Sequence, residues 1–196
     1  MPAVAMTDHG NLFGAIDFYR AMKDVDVKPI IGCEVYFAGG SRLDRERRDR
    51  DEAGYDAINH MLLLAMNDTG YRNLSYLVSR AFIDGFYYDP CINKQLLAER
   101  SEGLICLSGC LGGELAQAWM KQGPDQARRV AADFGIPYGC ATEEEVFALD
   151  RLDAVVISST PNAHYTQARA ALQHGLHVLV EKPMTLLACE AVELVE

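Results

Sequence analysis

The sequence predicts an α/β protein in which short buried strands alternate with amphipathic helices. Three observations carry that expectation. Runs such as Pro29-Ile30-Ile31-Gly32-Cys33 and Met61-Leu62-Leu63-Leu64 have strand length and no helical spacing. Between them lie segments with apolar residues three or four apart, and Gly- or Asn-rich turns punctuate the alternation. Strands that alternate with helices throughout a chain favour parallel strands.

The elements follow in order. Ala3-Val4-Ala5-Met6-Thr7 reads as a buried strand, and because Met1 has no preceding element to pack with, the chain is expected to begin within a domain. Residues 12–22 carry Leu12, Phe13, Ile16, Phe18, Tyr19 and Met22 at helical spacing. Residues 29–37 form a second buried strand closed by Gly39-Gly40, and the charged run 42–52 reads as a solvated loop or helix tip. A third strand covers 58–66, and Asn67-Asp68-Thr69-Gly70 ends it. Helices follow at 71–83 and at 93–100, the latter capped by Asn93. A fourth strand covers 104–107, with helices at 114–121 and 125–134. Past Pro137 come a short acidic helix at 143–149, a strand at 153–158, a helix at 163–174 stopped by Gly175, a strand at 177–180 and a helix from 186.

Composition narrows the class. With 49% hydrophobic and 23% charged residues the chain has material for a core, as soluble globular proteins do. A formal charge of −10 argues against indiscriminate binding to phosphate backbones, which takes clustered Lys and Arg. Cys33, Cys91, Cys106, Cys110, Cys140 and Cys189 form no CxxC pair and follow no hydrophobic leader, which fits a reducing cytoplasm. No apolar run approaches bilayer-spanning length, so no membrane partner is expected, and neither a repeat nor a low-complexity tract occurs.

Candidate chemistry gathers at strand ends, where the loops of α/β proteins converge. Asp8 and His9 end the first strand, Glu34 lies within the second, His60 opens the third and Cys110 follows the fourth. Imidazole, carboxylate and thiolate together suit zinc, manganese or iron. Taken singly, each of these residue types is more often structural.

The stretches PAVAMTDHGNLFGAIDFY, KPIIGCEVYF, NHMLLLAMNDTGYRNLSYLVS, GFYYDP and SEGLICLSGCLGGEL give residues 1 to about 130 a close resemblance to part of the PHP (polymerase and histidinol phosphatase) domain of bacterial DNA polymerase III alpha subunits. The resemblance implies a distorted (β/α) barrel carrying a divalent transition metal, zinc or manganese. It gives ligand roles to His9, Glu34, His60 and Cys110, with Asp8 positioning its neighbour. It also implies replicative polymerase subunits or DNA as partners. The family's opening His-x-His and closing Asp-x-His strands do not occur here, so the barrel is expected to be partial, with open sheet edges prone to self-association. Polymerase catalytic carboxylates do not occur in this sequence, so polymerisation by it is not expected. Metal-dependent 3′→5′ phosphodiester hydrolysis is an ancestral activity the remaining ligands would support only weakly.

The stretches DFGIP, LDAVVISSTPNAHYTQARAALQHGLHVLVEKPMTL and EAVELVE resemble a different group, the Gfo/Idh/MocA NAD(P)-dependent oxidoreductases, over residues from about 131 to 196. That resemblance implies the second half of a Rossmann-type parallel sheet. It places Thr160, Pro161, Asn162, Glu181 and Lys182 beside a nicotinamide cofactor, Lys182 being the one with a catalytic role, and makes a sugar or inositol the substrate. His164 reads as a packing or capping residue. The glycine-rich pyrophosphate turn belongs to a first βαβ unit that polymerase-type sequence replaces, and Gly109 to Gly113 reads GCLGG rather than GxGxxG. NAD(P) binding by this part alone is therefore not expected.

The two resemblances meet within 125–135 without a linker rich in Gly, Ser or Pro. Three readings follow: a PHP-type metal-binding fragment, an oxidoreductase fragment, and a recombined or artefactual join with no evolved activity.

Overall fold

The computed structural model describes residues 3–43, 58–109, 111–136, 138–140, 142–150 and 152–195. The chain divides into two compact units, Met1–Glu114 and Leu115–Glu196. This division precedes the 130/131 change in sequence resemblance, and it assigns nearly all of the helical stretch 114–133 to the second unit.

In the first unit the order is β1 (Ala3–His9), α1 (Ala15–Asp24), β2 (Lys28–Ala38), β3 (Ile58–Ala65), α2 (Asp68–Ile83), β4 (Phe86–Tyr87), β5 (Asp89–Asn93), α3 (Lys94–Glu99) and β6 (Leu104–Leu107). The sheet runs β4-β5-β2-β3-β6, with β1 also on β2. The α/β class holds, but the expected parallel arrangement does not. β1 and β5 run parallel to β2, whereas β3 is antiparallel to both β2 and β6, and β4 is antiparallel to β5. Buried apolar runs mark strands without encoding their direction, which the connections set.

β2 is the long central strand because it serves two neighbours on one edge. Its residues 28–34 pair with β1, and Tyr36, Phe37 and Ala38 pair with β5. Gly10, at φ +67°, makes this exchange possible by turning the chain off that edge immediately after His9.

One face of the sheet is dry. Cys33, Val35, Phe37, Met61 and Leu63 pack against Leu74, Leu77, Val78 and Ala81 of α2, with Ile92 and Leu96 beside them. The period of two in the strands and the spacing of apolar positions in α2 bring these residues together. Asn67 caps α2 by accepting from the Gly70 amide at 3.0 Å, a contact that stabilises a helix by about 1 kcal/mol. Gly70 itself is required by packing: a Cβ there would lie 1.8 Å from the Gly103 carbonyl oxygen. Asn93 caps α3 in the same way, accepting from Leu96 N at 3.2 Å.

The second unit holds α4 (Glu114–Gln122, beginning at the last residue of the first unit), α5 (Pro124–Asp133), α6 (Glu143–Phe147), β7 (Ala154–Ile157), α7 (Pro161–Gln173), β8 (His177–Val180) and α8 (Ala188–Val195). β7 and β8 pair in parallel through the α7 crossover, as expected for a Rossmann-type segment. The buried small residues Ala168 and Ala171 permit close helix packing. Among the described residues no helix is long and apolar enough to cross a membrane.

Candidate metal centre

The face of the first sheet opposite the dry core carries the chemistry. His9 lies directly across from Glu34 in the β1–β2 register, and His60 lies across from Tyr36 in the β2–β3 register. Side chains two apart share a face, so His9, Glu34, Tyr36 and His60 all project together.

Glu34 is 7% exposed, and burying a carboxylate is costly unless it is paired. Both of its oxygens are engaged: Oε1 accepts from His60 Nδ1 at 2.8 Å, and Oε2 lies 3.2 Å from His9 Nε2. The imidazoles of His9 and His60 meet edge to face with centroids 6.2 Å apart. One ligand atom from each of the three residues lies within 4.8 Å of the others. Two imidazole nitrogens and a carboxylate oxygen form a donor set suited to zinc, manganese or iron. His9 remains half exposed, which gives the cluster access to solvent.

Backbone features fix the ligands' carriers. Asn11 Nδ2 donates to the His9 carbonyl at 2.8 Å, while its Oδ1 accepts from Phe13 N at 3.0 Å. This Asx-type turn follows Gly10, whose own amide donates to the Glu34 carbonyl. On the other side, His60 N donates to Gly112 O at 3.0 Å, and a Cβ on Gly109 would come within 2.8 Å of the His60 carbonyl.

Asp8 projects to the core side, in register with Cys33, and a Cβ on Gly14 would meet its Oδ2 at 3.2 Å. It is not part of the cluster. Burial pushes the Cys33 thiol up to about 12; the Gly10 and Asn11 amides oppose the shift, and the Asp8 and Glu34 charges add to it. Cys110 lies outside the described residues. The site residue that motif reading missed is Tyr36, whose ring meets His60 at right angles with centroids 5.4 Å apart. Its position two residues after Glu34 in a strand was the available signal.

In the second unit Thr160 is the N-cap of α7, Pro161 and Asn162 begin its first turn, and Glu181 and Lys182 follow β8. Both segments therefore leave the same end of the parallel pair. Buried His164 links them: Nδ1 lies 2.8 Å from the Pro183 carbonyl oxygen and Nε2 lies 3.1 Å from that of Ser159. Lys182 is largely exposed, with Nζ 3.6 Å from Glu181 Oε2.

The first unit is thus an α/β domain built around a strand-borne cluster of two imidazoles and a carboxylate. The chain belongs to the PHP domain family, whose model matches residues 1–135. A second model, the oxidoreductase family with an NAD-binding Rossmann fold, matches residues 104–196. Similar curated proteins are DNA polymerase III alpha subunits. That of Chlamydia pneumoniae is 52% identical over 121 residues, covering 62% of this chain and 9% of the relative. That of Thermus aquaticus is 38% identical over 200 residues, covering 94% of this chain and 16% of the relative. That of Saccharopolyspora erythraea is 35% identical over 217 residues, covering 95% and 18% respectively. The chain therefore spans less than a fifth of the length of these relatives.

Proposed function

We propose that the chain is a PHP-type metal-binding module of the replicative-polymerase lineage, holding one divalent transition ion through His9, Glu34 and His60. The observation that carries this reading is the convergence of the three ligand atoms within 4.8 Å on one sheet face. A bound ion would supply Lewis acidity toward a phosphodiester, the chemistry of an ancestral 3′→5′ exonuclease. The chain's own residues contribute charge and order: Glu34 would offset one of the ion's two positive charges, and the sheet register holds both imidazoles on one side. Cys110 is proposed as a further ligand from its motif. Nucleotide polymerisation is assigned to no part of this chain, and its hydrolytic activity is proposed to be weak or absent. DNA or replicative polymerase subunits in the cytoplasm are the proposed partners. The outer edges of β1 and β6, each with one described neighbour, are where self-association would begin.

Isothermal titration of the purified chain with zinc and manganese tests the reading. Stoichiometric binding is expected, with His9→Ala and Glu34→Gln each weakening it by about 100-fold or more. Binding that survives both substitutions would place the ion elsewhere.

A second reading rests on His164, which ties the segment carrying Thr160, Pro161 and Asn162 to the one carrying Glu181 and Lys182. In that reading the second unit is an oxidoreductase remnant with residual affinity for NAD(P) and, through its lineage, for a sugar or inositol. NAD(H)-induced thermal stabilisation that Lys182→Ala removes would support it.

The two family models overlap over 104–135, which supports reading the chain as a join of two lineages. Polymerase alignments covering 94% and 95% of the chain weigh against it. Contiguous reads of source DNA across codons 125–137 decide the matter, and two separate genes there would establish the join.

A further inference from the structure

We infer that Tyr36 is a positioning residue for the candidate metal centre, setting the orientation of the His60 imidazole and the course of the chain at His9 through one ring. The inference rests on the metal-centre reading above and adds to it a residue that belongs to none of the motif ligands.

The ring of Tyr36 meets His60 and the turn after His9, and Tyr36 shares β2 with Glu34. It lies across the β2–β3 ladder from His60, and the two rings meet at 83° with centroids 5.4 Å apart. This is the edge-to-face arrangement that aromatic quadrupoles favour. On its other side the ring abuts the turn after His9: a Cβ on Gly10 would sit 2.9 Å from Tyr36 Cε2 and 3.1 Å from Cδ2. Along its own strand Tyr36 stands two residues from Glu34, on the same face. The ring is itself held in place, half-buried against Ala38, Ile58 and Cys91.

This arrangement accounts for Gly10 on two grounds. The backbone turns there at φ +67°, and the space a side chain would fill is taken by Tyr36 and by Pro90 Cγ, 3.0 Å from the ideal Cβ. Ligands held within a few tenths of an ångström need neighbours whose own rotamers are fixed by packing. Neighbours that orient a metal-ligating histidine typically change metal affinity 10- to 100-fold when removed. The aromatic face is the working part of Tyr36, so phenylalanine should substitute for it.

The test uses the full chain and cobalt(II) as the probe, read by titration and by the visible ligand-field spectrum. Tyr36→Phe should bind within about threefold of the parent with the same spectrum, whereas Tyr36→Leu should bind about 10-fold or more weakly with altered bands. Circular dichroism establishes that each variant is folded. Should Tyr36→Leu fail to fold, Gly10→Ala displaces the ring without deleting it and should give the same weakening. Parent-like affinity and spectrum in a folded Tyr36→Leu or Gly10→Ala protein overturns the inference while leaving the metal centre intact. Equal loss in Tyr36→Phe and Tyr36→Leu overturns it too, by assigning the effect to the hydroxyl. A parent chain that binds no cobalt overturns the metal-centre reading itself, and the inference with it.

Discussion

The amide of Gly10 donates to the carbonyl of Glu34 across 2.8 Å, so the turn that ends the His9 strand is anchored on the residue that supplies the buried carboxylate. Backbone and site are thereby joined at one position. Replacing Gly10 with alanine places a side chain at a positive φ and against the Tyr36 ring. We expect Gly10→Ala to lower stability by about 1–3 kcal/mol. Urea denaturation followed by tryptophan-independent far-UV dichroism measures it, and a change below 0.5 kcal/mol, roughly the scatter of a neutral surface substitution, would show the turn to be adaptable.

Cys33 is fully buried beneath that same turn. Its thiol, raised by burial from 9.0 to about 12, leaves roughly one part in ten thousand as thiolate at pH 8. In the native protein Cys33 is expected to resist iodoacetamide until the first unit unfolds. Mass spectrometry of peptides alkylated with and without urea provides the check. The pH dependence follows with a definite sign. Between about 9 and about 12 the unfolded chain sheds this proton while the folded chain keeps it, so stability falls across that window. A stability that holds level from pH 9 to 11 would contradict the burial argument.

The two faces of the sheet should be separable by mutation. Leu77 is fully buried in the cluster under β2 and β3, on the side away from Glu34. Leu77→Ala is expected to cost about 3 kcal/mol by leaving a cavity. Because it shares no partner with the three ligands, metal affinity of the folded protein should stay within about threefold of the parent. Calorimetry at a temperature where the variant is fully folded distinguishes this from a loss that tracks stability.

How far the fold was legible depended on what each signal encodes. The apolar runs of β1, β2, β3 and β6, the cap Asn93 and the stop Gly175, which follows the C-cap His174 at φ +74°, marked elements directly. β4 and β5 escaped notice because Tyr88 turns the chain at φ +63° and Pro90 interrupts the apolar pattern. α1 starts at Ala15 rather than Leu12 because Asn11 captures the Phe13 amide in a turn. The parallel pairing expected from alternating strands and helices holds for β1–β2, β2–β5 and β7–β8, but the reversed direction of β3 carries no signal, since its apolar run looks the same either way. For the site, motifs pointed to His9, Glu34 and His60 one at a time. Their shared face follows only from the register, and that register also brings in Tyr36.

His164 in the second unit gives an independent handle on the other resemblance. It is 1% exposed, and both ring nitrogens meet carbonyl oxygens, one from Ser159 before α7 and one from Pro183 after β8. A neutral imidazole carries one N–H, so removing the ring takes a hydrogen bond of about 1 kcal/mol from one of these carbonyls, together with the packing of the buried ring between the two segments. His164→Ala should therefore loosen both segments together. Hydrogen exchange at amides of residues 158–163 and 181–187 is expected to accelerate in parallel, while those of β3 and α2 stay protected. Acceleration on one side alone would mean that the two segments are held independently, and the imidazole would then be a filler of the helix–sheet interface rather than the tie between them.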